Sequence, residues 1–82
     1  MDIRKGASGE FRVFQWFPDG GYECVAELVD AQTAVYTARD YTLRPAALLG
    51  IIARVSITDG GDYTVFEWKH GQGVTYPPRD AV

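Results

Sequence analysis

Residues 11–23 read FRVFQWFPDGGYE, and this stretch is typical of a β-strand that enters a tight turn. Side chains alternate along a strand, so Phe11, Val13 and Phe17 share one side, and Phe14 and Trp16 share the other. A small domain has one core, and a strand turns one side towards it. The stretch therefore predicts a strand whose second side carries two large aromatic rings.

The pairing of this strand follows from the turn that we predict for it. Asp-Gly favours a two-residue hairpin loop, which joins a first strand at residues 10–17 to a second at 22–29, YECVAELV. With Asp19 and Gly20 as the loop, the expected opposite residues are Phe17 and Tyr22, Gln15 and Cys24, Val13 and Ala26, and Phe11 and Leu28. Any loop with an even number of residues keeps the same side chains on the core face. We therefore expect Cys24 to be buried in the core.

The next segment has the signals of a helix. Asp30 stands where an N-cap is wanted, and apolar side chains recur at helical spacing through residues 31–43, at Ala31, Ala34, Val35, Ala38 and Tyr41. Pro45 disfavours helical geometry at Arg44. PAALLG (45–50) is therefore expected to be a separate short helical turn that Gly50 closes.

The remaining chain predicts a second hairpin. Residues 51–58 (IIARVSIT) and 63–70 (YTVFEWKH) flank DGGD, and we expect a loop at Gly60 and Gly61. Ala53, Val55 and Ile57 would face Thr64, Phe66 and Trp68 in the core. On the outer side, Arg54 would lie opposite Glu67, as Arg12 would lie opposite Glu27 in the first hairpin.

These elements predict one α+β domain over residues 1–82, with β-β-α-β-β order and one helix packed on one face of an antiparallel sheet. Residues 1–9 are expected to be flexible. Residues 71–82 are expected to form an extended tail, with a short edge strand at GVTY (73–76) as an option. The pattern leaves the strand order open.

The face that the helix leaves open is the expected contact surface. Exposed aromatic clusters ringed by charge mark binding sites more often than scattered apolar residues do. From the side chains expected on this open face, the predicted partner-binding surface consists of Phe14, Trp16, Val25, Ile52, Tyr63, Val65, Arg12 and Arg54. Glu23, Glu27, Ser56, Glu67 and Lys69 lie among or around these residues.

Composition narrows the class of function. The formal net charge is −3, which argues against nucleic acid and anionic membranes as partners. The longest apolar run, AALLGIIA (46–53), is too short to span a membrane, and the first residues lack the apolar core of a signal peptide. A single cysteine fits a reducing compartment. We expect a cytoplasmic protein.

Sequence motifs for catalysis are lacking. The lone His70 has no matched ligand or base, and turn chemistry explains Asp59 and Asp62. GASG (6–9) and GQG (71–73) lack the lysine and helix of a phosphate loop and are interpreted as flexible connectors. We expect no enzymatic activity, no metal and no cofactor.

Three stretches, WFPDGG (16–21), ITDGGDYTVFEW (57–68) and GVTYPP (73–78), resemble a family of short, uncharacterised bacterial proteins across residues 13–78. The shared motifs consist mostly of turn and core residues, so the resemblance implies no activity and no site.

The leading hypothesis is a small non-enzymatic protein-interaction module, which forms a homodimer or binds another protein through the open sheet face. One alternative is a single-stranded nucleic-acid binder that stacks bases on Phe14, Trp16 and Tyr63. Another is a small-ligand site formed between subunits.

Overall fold

The computed structural model describes residues 8–77, which form a five-stranded antiparallel sheet with one main helix packed against it. The predicted α+β class is confirmed. The elements are β1 (Ser8–Trp16), β2 (Tyr22–Val29), α1 (Ala31–Leu43), α2 (Pro45–Leu48), β3 (Arg54–Thr58), β4 (Thr64–Lys69) and β5 (Gly73–Tyr76).

Both ends of the described chain contribute strands. β1 begins at Ser8 and includes Gly9. Residues 73–76, for which the sequence left a short edge strand open, form β5, which pairs with β4. The expectations of a flexible start and an extended tail otherwise fall on residues 1–7 and 78–82, outside the described residues. None of the helices within 8–77 is long and apolar enough to cross a membrane.

The strand order is β2-β1-β3-β4-β5, with every neighbouring pair antiparallel. β1 is therefore an inner strand, paired with β2 on one side and with β3 on the other. The residues that oppose each other across β1 and β3 include Phe14 with Ser56 and Trp16 with Arg54.

The first hairpin turn differs from the predicted one. Phe17 N donates to Gly21 O at 2.8 Å and Gly20 N donates to Phe17 O at 3.0 Å, so the loop has three residues, Pro18 to Gly20. Proline suits the first central position of a type I turn, and Gly20 follows with φ 94°. A loop with an odd number of residues turns the side chains of the second strand to the opposite face of the sheet. Tyr22 therefore pairs with Trp16.

The same reversal moves the cysteine. Cys24 pairs with Phe14 rather than Gln15, and it is exposed, so the prediction of a buried Cys24 is wrong.

Three register shifts then change the pairing of β1 with β2, between Phe14 and Val13, between Val13 and Phe11, and between Phe11 and Ser8. Val13 pairs with Ala26, as predicted, because one extra residue is accommodated after Cys24. Phe11 pairs with Val29 instead of Leu28, so that prediction is wrong. Leu28 adopts φ 55° and its side chain is 53% exposed.

The second hairpin repeats this construction. Asp59 N donates to Tyr63 O at 2.9 Å across a three-residue loop, in which Asp62 has φ 66°. A register shift at Val65 then pairs Ile57 with Phe66. Val55, Ile57, Phe66 and Trp68 face the core as predicted, but their pairing is shifted by two places. The prediction for Thr64 is wrong, because the shift pairs it with Thr58 and leaves it exposed, and Ala53 lies before the start of β3.

The core lies between α1 and the sheet. The Asp30 side chain accepts a hydrogen bond from Thr33 N at 2.8 Å, which caps α1 as predicted and lowers the pKa of that carboxyl. Ala34 and Ala38 face the sheet and let the helix approach closely, whereas Val35 is 54% exposed. The buried apolar residues are Val13, Val29, Ala34, Ala38, Ala47, Ile52, Val55 and Ile57.

Candidate functional site

Three aromatic rings meet on the sheet face opposite α1, and we call Phe14, Trp16 and Tyr22 the aromatic cluster. The ring centroids of Trp16 and Tyr22 are 4.7 Å apart, those of Phe14 and Tyr22 are 5.7 Å apart with the rings edge to face, and those of Phe14 and Trp16 are 6.3 Å apart. These separations lie in the range in which aromatic pairs attract.

Strand alternation and turn length place these rings. Val13 of β1 is fully buried, so Phe14 and Trp16 as its alternating neighbours turn outward. Tyr22, which is 59% exposed, joins them because the three-residue loop sets it opposite Trp16. The predicted two-residue loop places Tyr22 on the core face, so that prediction is wrong. The signal that could have placed it is PDG, since Pro18 and Gly20 fit the two ends of a three-residue loop.

A polar network borders the cluster on the β3 side. Trp16 Nε1 donates to Ser56 Oγ at 3.0 Å, and the guanidinium carbon of Arg54 lies 4.1 Å from the centre of the Trp16 ring. Arg54 also donates to Glu67 Oε2 at 2.9 Å, and Thr75 Oγ1 donates to Glu67 Oε1 at 2.8 Å. The network thus runs from β1 across β3 and β4 to β5.

Glu67 anchors this network as a charged group. Burial, which leaves its side chain 18% exposed, raises the pKa of Glu67. The hydrogen bonds from Arg54 and Thr75 and the charge of Lys69 act in the opposite direction and prevail, so that the pKa lies below its ordinary value. Glu67 is therefore ionised at neutral pH.

A second predicted pair of charges is present further along the same face. Arg12 Nε lies 3.5 Å from Glu27 Oε2, in an exposed pair that contributes little stability. Arg54 and Glu67 also contact each other as predicted, although the residue opposite Arg54 is Lys69.

A cleft of about 280 Å³ opens beside the aromatic cluster, at the first turn. Its charged residues, Arg54 and Lys69, stand directly opposite each other across β3 and β4. Like charges in such a pair repel each other, and Glu67 provides the nearby compensating charge. The lining residues are Trp16, Phe17, Pro18, Gly20, Ala53, Arg54 and Lys69.

The structure brings only part of the predicted surface together. Phe14, Trp16, Arg12 and Arg54 lie on the open face. Ile52 does not, because β3 begins only at Arg54 and the Ile52 side chain is 3% exposed within the core.

Three other predicted residues also lie elsewhere. Val25 packs against the core because it occupies the first bulge, and Val65, at the bulge of β4, lines a cavity on the helix side. Tyr63 is 74% exposed in the second turn, at the opposite end of the sheet from Trp16.

The other residues with reactive side chains make structural contacts. His70 Nδ1 donates to the carbonyl of Ala47 at 3.0 Å, at the end of α2. Asp59 Oδ1 accepts from Gly61 N and Tyr63 N within the second turn. Cys24 Sγ donates to Ala26 O at 3.3 Å. Within residues 8–77, no three His, Cys, Asp or Glu side chains come together in a group that could hold a metal ion.

The arrangement is thus a partly exposed aromatic cluster with a border of mutually bonded polar groups, on a face that α1 leaves open. Comparison of the chain with protein-family models, with curated proteins and with solved structures finds no match.

Proposed function

We propose that this chain is a small non-enzymatic protein-interaction module, and that its open sheet face binds a second copy of the chain. The observation that carries the proposal is the aromatic cluster of Phe14, Trp16 and Tyr22, in which Tyr22 is 59% exposed and the other two rings are half-buried. The polar groups that border the cluster already bond one another. Aromatic rings surrounded by a polar border are the usual anatomy of a protein-binding site.

The polar border favours burial against another protein. Removing an unpaired charge from water is costly, but Arg54 and Glu67 already form an ion pair, and Ser56 and Thr75 already bond members of the same network. Covering this face therefore leaves few polar groups without partners. Covering the cluster removes from water the part of each ring that is still exposed, which is largest for Tyr22 because Phe14 and Trp16 are already half-buried.

The same geometry disfavours nucleic acid. A base needs a free aromatic face on which to stack, and Arg54 lies over the Trp16 ring while Tyr22 packs close to it. Two cations of the face also have carboxylate partners, because Arg12 pairs with Glu27 and Arg54 with Glu67. Lys69, opposite Arg54, adds one further positive charge, which is little to attract a phosphate backbone.

The test is the molar mass in solution, measured by light scattering over a range of concentrations. We expect the mass of the wild-type chain to rise towards twice the monomer mass, and that of the double variant Phe14→Ser, Trp16→Gln to stay at the monomer mass. The variant should keep its far-ultraviolet circular dichroism, since both rings lie outside the core.

A matched control removes two exposed apolar side chains from the helix. Tyr36 and Leu43 are 60% and 65% exposed, so the variant Tyr36→Ser, Leu43→Gln should associate as the wild type does. Equal association of all three proteins would contradict the proposed face. A wild-type chain that stays monomeric over the whole concentration range would overturn self-association. If the wild type binds a single-stranded oligonucleotide and Trp16→Gln abolishes that binding, the nucleic-acid alternative is favoured.

A further inference from the structure

A groove runs along α1 on the side of the sheet away from the aromatic cluster. It consists of one cavity of about 200 Å³ and an adjoining one of about 170 Å³, which share Val35, Ile57 and Phe66 as walls. The first is completed by Ala38, Arg39, Thr42, Trp68 and Val74, and the second by Phe11, Ala31, Ala34 and Val65. We call this combined space the helix groove.

The groove exists because a narrow helix lies on a wide sheet. α1 presents Ala34 and Ala38 inward, and it packs mainly on β1, β2 and β3. The apolar side chains of β4 and β5 on this side, Phe66, Trp68 and Val74, are only half-buried. They form one wall of the groove and the outer edge of the helix forms the other.

One charged side chain lines the groove. Arg39 projects from α1 at its margin, and every other lining residue except Thr42 is apolar. The Thr42 hydroxyl donates to the carbonyl of Arg39 at 2.7 Å and is thus already bonded. Within residues 8–77, Arg12, Arg44 and Arg54 pair with carboxylates, whereas Arg39 has no acidic group within ion-pair distance.

We propose that the helix groove binds an amphipathic carboxylate, with the alkyl chain between α1 and β4 and the carboxylate on the Arg39 guanidinium. The apolar walls match a hydrocarbon chain, and a guanidinium offers two parallel N–H donors to the two oxygens of a carboxylate. The ligand class follows from this combination of a long apolar space with one cation at its margin.

The dimensions support a small molecule. The two cavities together reach the lower end of the range of about 300–1,000 Å³ that small-ligand pockets span. From Ala31 to Thr42 the groove follows three turns of helix, or about 16 Å at the rise of an α-helix. A medium-length alkyl chain fits such a space along its length.

The test is a titration of the isotope-labelled wild-type chain with sodium decanoate, followed by amide resonances in nuclear magnetic resonance spectra. We expect saturable shifts at residues 35–42, Phe66, Trp68 and Val74, and none at Phe14 or Tyr22. Arg39→Ala should weaken the binding of decanoate about tenfold, which corresponds to about 1.4 kcal/mol. Arg39→Lys should restore part of it.

Two controls separate the cation from the apolar walls. Arg44→Ala removes another arginine of the same region, which pairs with Asp40 and lies outside the groove, so it should leave decanoate binding unchanged. Decanol, which has no charge, should bind the wild type about as weakly as decanoate binds Arg39→Ala.

Three results would overturn the proposal. The first is the absence of saturable shifts in the groove, and the second is equal binding of decanoate by the wild type and Arg39→Ala. The third is a response that appears only after removal of residues 78–82, since those residues would then be the occupant. Self-association is a separate property, because the groove contains no residue of the aromatic cluster.

Discussion

Gly9 occupies a position in β1 where there is no room for a side chain. A Cβ atom built on Gly9 would lie 2.5 Å from the carbonyl oxygen of Val29 and 2.6 Å from the Cα of Asp30. Both are backbone atoms, so they cannot move aside as the end of a long side chain can. The start of β1 therefore packs directly against the junction of β2 and α1, where the sequence suggested a flexible connector.

Gly9→Ala is expected to lower the free energy of unfolding by about 1–3 kcal/mol, because the strand or the start of α1 must shift to make room. Urea denaturation followed by circular dichroism measures this change. Gly21→Ala is the matched control, since the nearest atom to its Cβ would be the movable Asp19 Oδ1 at 3.2 Å. An equal, small effect of both substitutions would show that Gly9 is not tightly packed.

At the scale of the elements, much of the fold could be predicted from the sequence. The bounds of β2 and α1 agree with the prediction, because Asp30 marks the start of the helix and Pro45 forces Arg44 out of helical geometry. Alternation along β1 correctly placed Phe14 and Trp16 outward. These signals are local, since each depends on a few neighbouring residues.

The facing of Tyr22 and Cys24 could not be derived from alternation alone. It depends on whether the loop has two or three residues, and one extra residue turns the whole following strand over. The bulges of β2 and β4 are also invisible to a pattern with period two, although they decide where Val25 and Val65 point. Strand order depends on contacts between distant segments.

The bulge at Leu28 is a strained element. Leu28 has φ 55°, in the left-handed region that costs a residue with a Cβ about 1–2 kcal/mol. Its side chain is exposed on the edge strand β2, so packing in the monomer offers little compensation. A bulge of this kind also disturbs the ladder of an edge strand and hinders its pairing with another chain.

We expect Leu28→Gly to be more stable than Leu28→Ala by about 1 kcal/mol, because both lose the leucine side chain and only glycine relieves the backbone strain. Thermal and urea denaturation of the two variants measure the difference. The opposite order would mean that residue 28 does not adopt the left-handed conformation in solution.

The whole molecule is a single sheet with different surfaces on its two sides. One side carries the aromatic cluster and its polar network, and the other carries α1, the core and the helix groove. β1 and β3 contribute to both sides, since Val13 and Val55 are buried under the helix while Phe14 and Ser56 lie on the open side, where Ser56 is buried and bonded to Trp16. The sheet thus separates the two proposed binding sites.

This separation predicts which substitutions depend on each other. Phe14 and Tyr22 contact each other with their rings edge to face, so a double-mutant cycle of Phe14→Ala with Tyr22→Ala should give a coupling of about 0.5–1.5 kcal/mol in the free energy of unfolding. Val74 lies on the other side and shares no contact with Phe14. A cycle of Phe14→Ala with Val74→Ala should therefore be additive to within about 0.5 kcal/mol. Urea denaturation at a protein concentration where the chain is monomeric measures both cycles. A coupling of Phe14 with Val74 as large as that of Phe14 with Tyr22 would show that the two sides of the sheet do not respond independently.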